Sequence, residues 1–275
     1  MVGHVEWTEF ARVARAPVAG EIVEAREDWR EPAGGGAVAA VQLATLAGEC
    51  LFLTALGDDE VGHRAQRELE AMGLELAVAW REAPQRRAFV HLDDAGERAI
   101  TTMGERHAPV AADPLPWTEL ARADAVYVTA ADPEALRLAR SARHLVATVR
   151  VGPALAAAAV ELDVLVLSAR DEGEAYIRGE LDPPPRAVVR TAGASGGTIE
   201  SPDGAVRAWA APPLPGPWVD AHGAGDSFAG GLTYALGADR PLDEAVALGA
   251  RCGTEAVTRR GPYGSDSAIT PSLGR

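Results

Sequence analysis

The sequence predicts an α/β fold, a mostly parallel β-sheet with helices on both faces. Three observations carry that expectation. Short β-rich runs alternate with helical patterns along most of the chain, which is the order that parallel pairing demands. The 275 residues are 47% hydrophobic and 24% charged, which suits a packed globular chain and excludes disordered, collagenous and coiled-coil ones. Proline-rich stretches such as Pro183–Pro185 and residues 211–217 read as stiff surface connectors, so residues 1–275 are taken as one domain.

Residues 37–46 form a small-residue helix after Gly34-Gly35-Gly36. Residues 50–56 are a buried strand, closed by Gly57-Asp58-Asp59. Val61, Ala65, Leu69 and Met72 follow at helical spacing, and Gly73 suits the position after a helix. Residues 125–129 are a strand, after which Asp132-Pro133-Glu134 supplies an N-cap, a proline at N1 and a first-turn acid. A strand is expected at 145–149, a helix at 153–160, and strands at 164–168 and 187–191. Residues 227–236 and 242–257 read as the last two helices. Two stretches, 17–31 and 77–102, look antiparallel instead; in the second, Asp93-Asp94-Ala95-Gly96 is a hairpin signal. They are expected to form a small sheet beside the main one, with extra edge strands as the alternative.

Forty acidic residues against 26 basic ones leave a net charge of −14, and no basic patch suggests a nucleic-acid partner. No apolar run is long enough to span a membrane. The N-terminus lacks a basic, then apolar, leader, and two cysteines are too few for a disulfide framework; a reducing cytoplasm is the expected location. The chain contains no lysine and no asparagine. That excludes a Schiff-base lysine, a Walker A lysine and N-glycosylation.

The segment richest in chemistry is Val219–Gly237. Gly223-Ala224-Gly225-Asp226 precedes a helix whose Phe228, Leu232 and Leu236 repeat every four residues. Glycines there leave backbone N–H groups open to an anion at the helix N-terminus. A carboxylate beside them competes with that anion unless it has work to do. Asp226 is therefore a candidate base for a substrate hydroxyl, with an N-cap as the plainer alternative.

This segment, Asp220-Ala221-His222-Gly223-Ala224-Gly225-Asp226-Ser227-Phe228, resembles the second signature of the ribokinase and PfkB carbohydrate kinases, D-T-x-G-A-G-D-x-F. The resemblance runs through the chain in family order. Gly34-Gly35-Gly36 matches the first signature, Gly57–Gly62 the G-D-D-x-x-G turn, Asp171–Glu174 the N-x-x-E motif, and Thr191–Gly196 the T-x-G-x-x-G nucleotide loop. Thr258–Gly261 lies where the family has its closing loop. The resemblance implies a ribokinase-like fold whose antiparallel stretches form a lid. It implies an ATP-dependent kinase acting on a hydroxyl of a sugar or polyol. Asp226 is then the catalytic base and Gly223, Ala224 and Gly225 the anion hole. Thr191, Gly193, Gly196 and Gly253 contact ATP. Asp171 and Glu174 belong to the Mg²⁺ network, and Glu6, Thr8, Gly34, Gly35 and Gly36 face the sugar. A monovalent cation and a homodimer through the lid remain open. A nucleoside or inositol kinase and a non-enzymatic ligand sensor are the alternatives. An NAD-binding fold fails, because no G-x-G-x-x-G follows the first strand.

The departures concern the sugar. The usual asparagine of G-G-N is Gly36, the usual aspartate near the first strand is Thr8, and the asparagine of N-x-x-E is Asp171. A site lacking those groups is expected to handle free ribose poorly and to favour a larger or acid-bearing sugar. Arg98 and Arg106 are candidates for holding a phosphate already on the substrate, against the plainer reading of solvated arginines. The histidines show no metal spacing and read as surface or core residues. Trp7, Trp29 and Trp80 are weighed for sugar stacking, with packing as the alternative.

Overall fold

A computed structural model describes residues 1–264. The main sheet has nine strands. In spatial order they are β13 (Val206–Trp209), β12 (Gly197–Glu200), β11 (Val188–Thr191), β10 (Val164–Ser168), β9 (His144–Thr148), β8 (Ala125–Val128), β1 (Val2–His4), β4 (Leu51–Gly57) and β5 (Glu75–Arg81). From β11 to β5 every pairing is parallel. Only β12 and β13 join antiparallel, as a hairpin on one edge.

Among the described residues six α-helices cover the sheet: α1 (Gly35–Ala47), α2 (Glu60–Ala71), α3 (Pro133–Ala139), α4 (Gly152–Ala158), α5 (Ala224–Gly237) and α6 (Leu242–Ala256). Consecutive strand residues point to opposite faces. On β4, Phe52 thus enters the core shared with Leu69, Phe228 and Leu232 of α2 and α5. Leu53 enters the core shared with Leu136 and Leu155 of α3 and α4. This two-faced burial explains the continuous apolar strands in the sequence. The expected cap holds, with Asp132 accepting from the Ala135 amide at 3.0 Å; Asp59 caps α2 in the same way, accepting from the Gly62 amide at 2.8 Å.

The lid is a separate four-stranded sheet, ordered β3 (Glu27–Ala33), β2 (Glu6–Arg12), β6 (Arg87–Leu92) and β7 (Arg98–Met103). Its β2–β6 pair is parallel and the other two are antiparallel. The predicted lid spans need correction. Residues 77–81 belong to β5, hydrogen-bonded in parallel to β4. A half-buried edge strand alternates like a lid strand, so the pattern did not separate them. Residues 17–26 form no strand; Val18 and Ile22 lie exposed and have no face to bury. The strand the expectation omitted is β2, which holds Thr8 in the lid rather than at the end of β1.

The C-terminal ends of β1, β4, β8, β9, β10 and β11 share one edge of the sheet, the usual place for a ligand in such folds. Glycines let the chain close up there. A Cβ on Gly62 would lie 1.9 Å from the Gly57 carbonyl oxygen, and one on Gly57 would lie 2.3 Å from the Gln85 amide nitrogen. The buried Gln85 side chain then accepts from the Gly57 amide at 3.0 Å and donates to the Val5 carbonyl at 2.9 Å, fixing the entry to the lid. Gly62→Ala is expected to destabilise the protein by about 1–3 kcal/mol through that overlap, as read by chemical denaturation.

Candidate functional site

The site starts at the first turn of α5. Gly223, at φ 78°, is the N-cap, with no side chain to bond the helix. Asp226 is therefore not the cap, and its carboxylate is spared that role. Gly225 is exposed, and no atom lies within 4 Å of where its Cβ would be. Among the described residues the Gly225 and Asp226 amides find no backbone or side-chain acceptor. Open amides, an open approach and a free carboxylate thus meet at one helix terminus.

The glycine run reaches the same place from the other side. A Cβ on Gly35 would lie 2.7 Å from Asp226 Oδ1, and one on Gly36 would lie 2.3 Å from the His4 carbonyl oxygen. Gly34, at φ 84°, turns the chain between Glu6 and His4. Gly35 is therefore brought to Asp226, Gly34 to Glu6 and Gly36 to His4. Thr8 is 1% exposed on the lid face that also carries Phe10, so it is almost closed off. Burial pushes the Asp226 carboxyl up to about 6; Glu174 and Glu6 add to the rise, while Arg98 and Arg150 oppose it.

His4 is a site residue that sequence reasoning passed over. It ends β1, is 7% exposed, and its Nδ1 lies 3.3 Å from Thr129 Oγ1. Burial, then the charges of Arg106, Arg86 and Arg150, push it down to about 3, so it stays neutral near Asp226. Its place at the C-terminal end of the first parallel strand was the signal available. Arg150 was also missed. Its Nε donates to Glu174 at 2.6 Å, and its guanidinium bonds Asp171 as well. Glu174 accepts from the Ser168 amide at 2.6 Å through its other oxygen. Asp171 and Glu174 thus come together, but around an arginine.

At the far end, Thr191 closes β11, and Gly193 and Gly196 flank a single 3₁₀ turn at φ 62° and 79°. A Cβ on Gly196 would lie 2.1 Å from the Trp209 carbonyl oxygen, which accounts for a glycine there. Gly253 packs: its Cβ position lies 3.1 Å from the Ala224 carbonyl oxygen, seating α6 against the start of α5. Of the weighed tryptophans, Trp29 stacks on Phe10 with centroids 4.7 Å apart, Trp7 lies under Arg64, and Trp80 packs on His63. All three have packing partners. His222 is half-buried, with its buried Nδ1 unpaired among the described residues, and its ring meets Phe10 edge to face.

A family model described as the pfkB family of carbohydrate kinases matches residues 1–151 and 155–269. The chain belongs to that family. A kinase from Halopiger xanaduensis, the ATP-dependent ribose-1-phosphate kinase, is 30% identical over 287 residues, covering 97% of this chain and 94% of the relative. The ribokinase of Giardia lamblia shares the fold at a TM-score of 0.77 and 17% identity, covering 98% of this chain and 94% of its own. That of Thermotoga maritima does so at 0.73 and 20%, covering 95% and 93%. No helix among the described residues is long and apolar enough to cross a membrane.

If the kinase works through an ionised Asp226, kcat/KM should fall below about pH 6, because the protonated carboxyl cannot accept a proton. Arg98 holds that carboxyl down, so Arg98→Gln should move the acid limb to higher pH. A pH–rate profile of both proteins checks this.

Proposed function

We propose that the protein transfers the terminal phosphoryl group of ATP to a hydroxyl of a sugar that already carries a phosphate. One observation carries the chemistry: the Asp226 carboxylate is free of any capping bond yet sits beside open amides at the start of α5. In this reading Asp226 takes the hydroxyl proton. The hydroxyl oxygen bonds to the terminal phosphorus as the bond to the departing diphosphate breaks. The Gly225 and Asp226 amides receive the charge that develops on the transferred group, whereas the Ala224 amide, expected among them, donates to the Ala221 carbonyl at 3.4 Å. Thr191, Gly193 and Gly196 belong to the nucleotide, and the Gly34–Gly36 face to the sugar.

Mg²⁺ fits this site as a hydrated ion. Among the described residues no three acidic, histidine or cysteine side chains converge on a cage. Both Glu174 oxygens are already engaged, so Glu174 and Asp171 would reach the ion through its waters. The ion would neutralise phosphate charge. The lid-to-lid homodimer is kept as part of the proposal, because β7 leaves Ile100 and Met103 exposed along a free edge.

The substrate class rests on the relative named for ribose-1-phosphate and on the missing asparagine and aspartate of a ribose site. Ribose-1-phosphate is expected to exceed free ribose in kcat/KM in an ADP-release assay over a panel of sugars, sugar phosphates, nucleosides and inositols. Higher turnover of ribose or a nucleoside would overturn the substrate class. Asp226→Asn is expected to lower kcat by roughly 10²–10⁴-fold with little change in nucleotide affinity. Near-normal kcat would remove Asp226 from its role.

A further inference from the structure

Arg106 stands apart from the other arginines. Among the described residues, Arg67, Arg170, Arg240 and Arg251 also lack a side-chain partner, but all four are exposed. Arg106 is half-buried and makes no hydrogen bond or ion pair with a described residue. Its neighbours are committed elsewhere. Arg86 donates to Glu6 at 2.7 Å and to the Gly104 carbonyl at 3.2 Å, and Arg150 holds Asp171 and Glu174. Burial and the charges of Arg86 and Arg150 make the Arg106 cation costly, with Glu6 as its one attractive neighbour. A guanidinium has five donors and stays charged, so leaving it half-buried, unpaired and repelled needs a compensating anion.

Position indicates which anion. Arg106 follows the last lid strand and acts on His4 at the end of β1, beside the Gly34–Gly36 face and Asp226. The Thr191–Gly196 loop follows β11, four strands away from β1. At about 4.8 Å per strand that is roughly 19 Å, too far for one side chain to serve the nucleotide loop as well.

We infer that Arg106 is the specificity-determining residue of this kinase, binding the phosphate that the sugar acceptor carries before the reaction. The inference rests on the proposed sugar-phosphate substrate and deepens it. A planar guanidinium suits a phosphate because two parallel N–H donors meet two oxygens.

The test compares kcat/KM for ribose-1-phosphate and ribose in the wild type, Arg106→Gln and Arg106→Lys, together with KM for ATP and the thermal midpoint. In Arg106→Gln the ratio of ribose-1-phosphate to ribose is expected to fall about 10²-fold, the worth of lost charge-assisted bonds. Arg106→Lys keeps the charge without the fork and should recover part of it. The ATP KM and the midpoint should hold, since no protein partner is lost. An unchanged ratio in a wild type that prefers ribose-1-phosphate would overturn the inference alone. An equal loss for both sugars with a raised ATP KM would reassign Arg106 to the nucleotide and overturn it too. A wild type with no preference for ribose-1-phosphate would overturn the substrate class, and the inference with it.

Discussion

The buried carboxylate of Asp220 joins three segments that are far apart in the sequence. It is fully shielded from solvent and accepts from the His222 amide and the Gly261 amide, each at 2.9 Å. Arg12 of the lid approaches it at 3.8 Å. The loop into α5, the turn after α6 and the lid are thereby fixed to one charge. Burial raises this carboxyl, and the two amides and Arg12 oppose that rise. A buried charge with one partner removed is strongly destabilising, so the group is held to its geometry. The open start of α5, and hence Asp226, depends on that anchor.

The same segment also meets the lid. Arg98 on β7 donates to the Ala221 carbonyl at 3.2 Å, and His222 packs its ring on Phe10 of β2. Trp218 fills the space beside Gly96, at the turn between β6 and β7. The lid is thus attached to the loop that carries the amides. In the proposed function, groups that read the sugar and groups that receive phosphoryl charge would thus share one framework, which suits chemistry that depends on alignment.

Electrostatics gives the site a balance that the chain as a whole lacks. The protein carries −14 in all, yet Arg86, Arg98, Arg106 and Arg150 act on His4 or Asp226 at one sheet edge. Glu6 pairs with Arg86, and Asp171 and Glu174 with Arg150, which leaves Arg98 and Arg106 without a carboxylate partner among the described residues. His4, held neutral by burial, adds no further charge to that cluster, and burial raises the Asp226 carboxyl to about 6.

The sequence by itself determined the alternating elements, the glycine-flanked carboxylate at α5 and the two glycine turns, because each is written in a short run of neighbours. Residues 164–168 and the Asp132 cap match as read, since local apolar runs and capping chemistry need no distant partner. Tertiary structure decided which alternating strands were lid and which were edge, because β5 and β6 show similar periodicity and differ only in the strand each one meets. It also decided that Asp171 and Glu174 close on Arg150, 21 and 24 residues earlier. His4 gained its place only there, and Arg106, already a candidate for a phosphate, was set apart there by being half-buried with no partner among the described residues. A single histidine or arginine carries no local pattern, and its role comes from what burial and unlike stretches of chain bring against it.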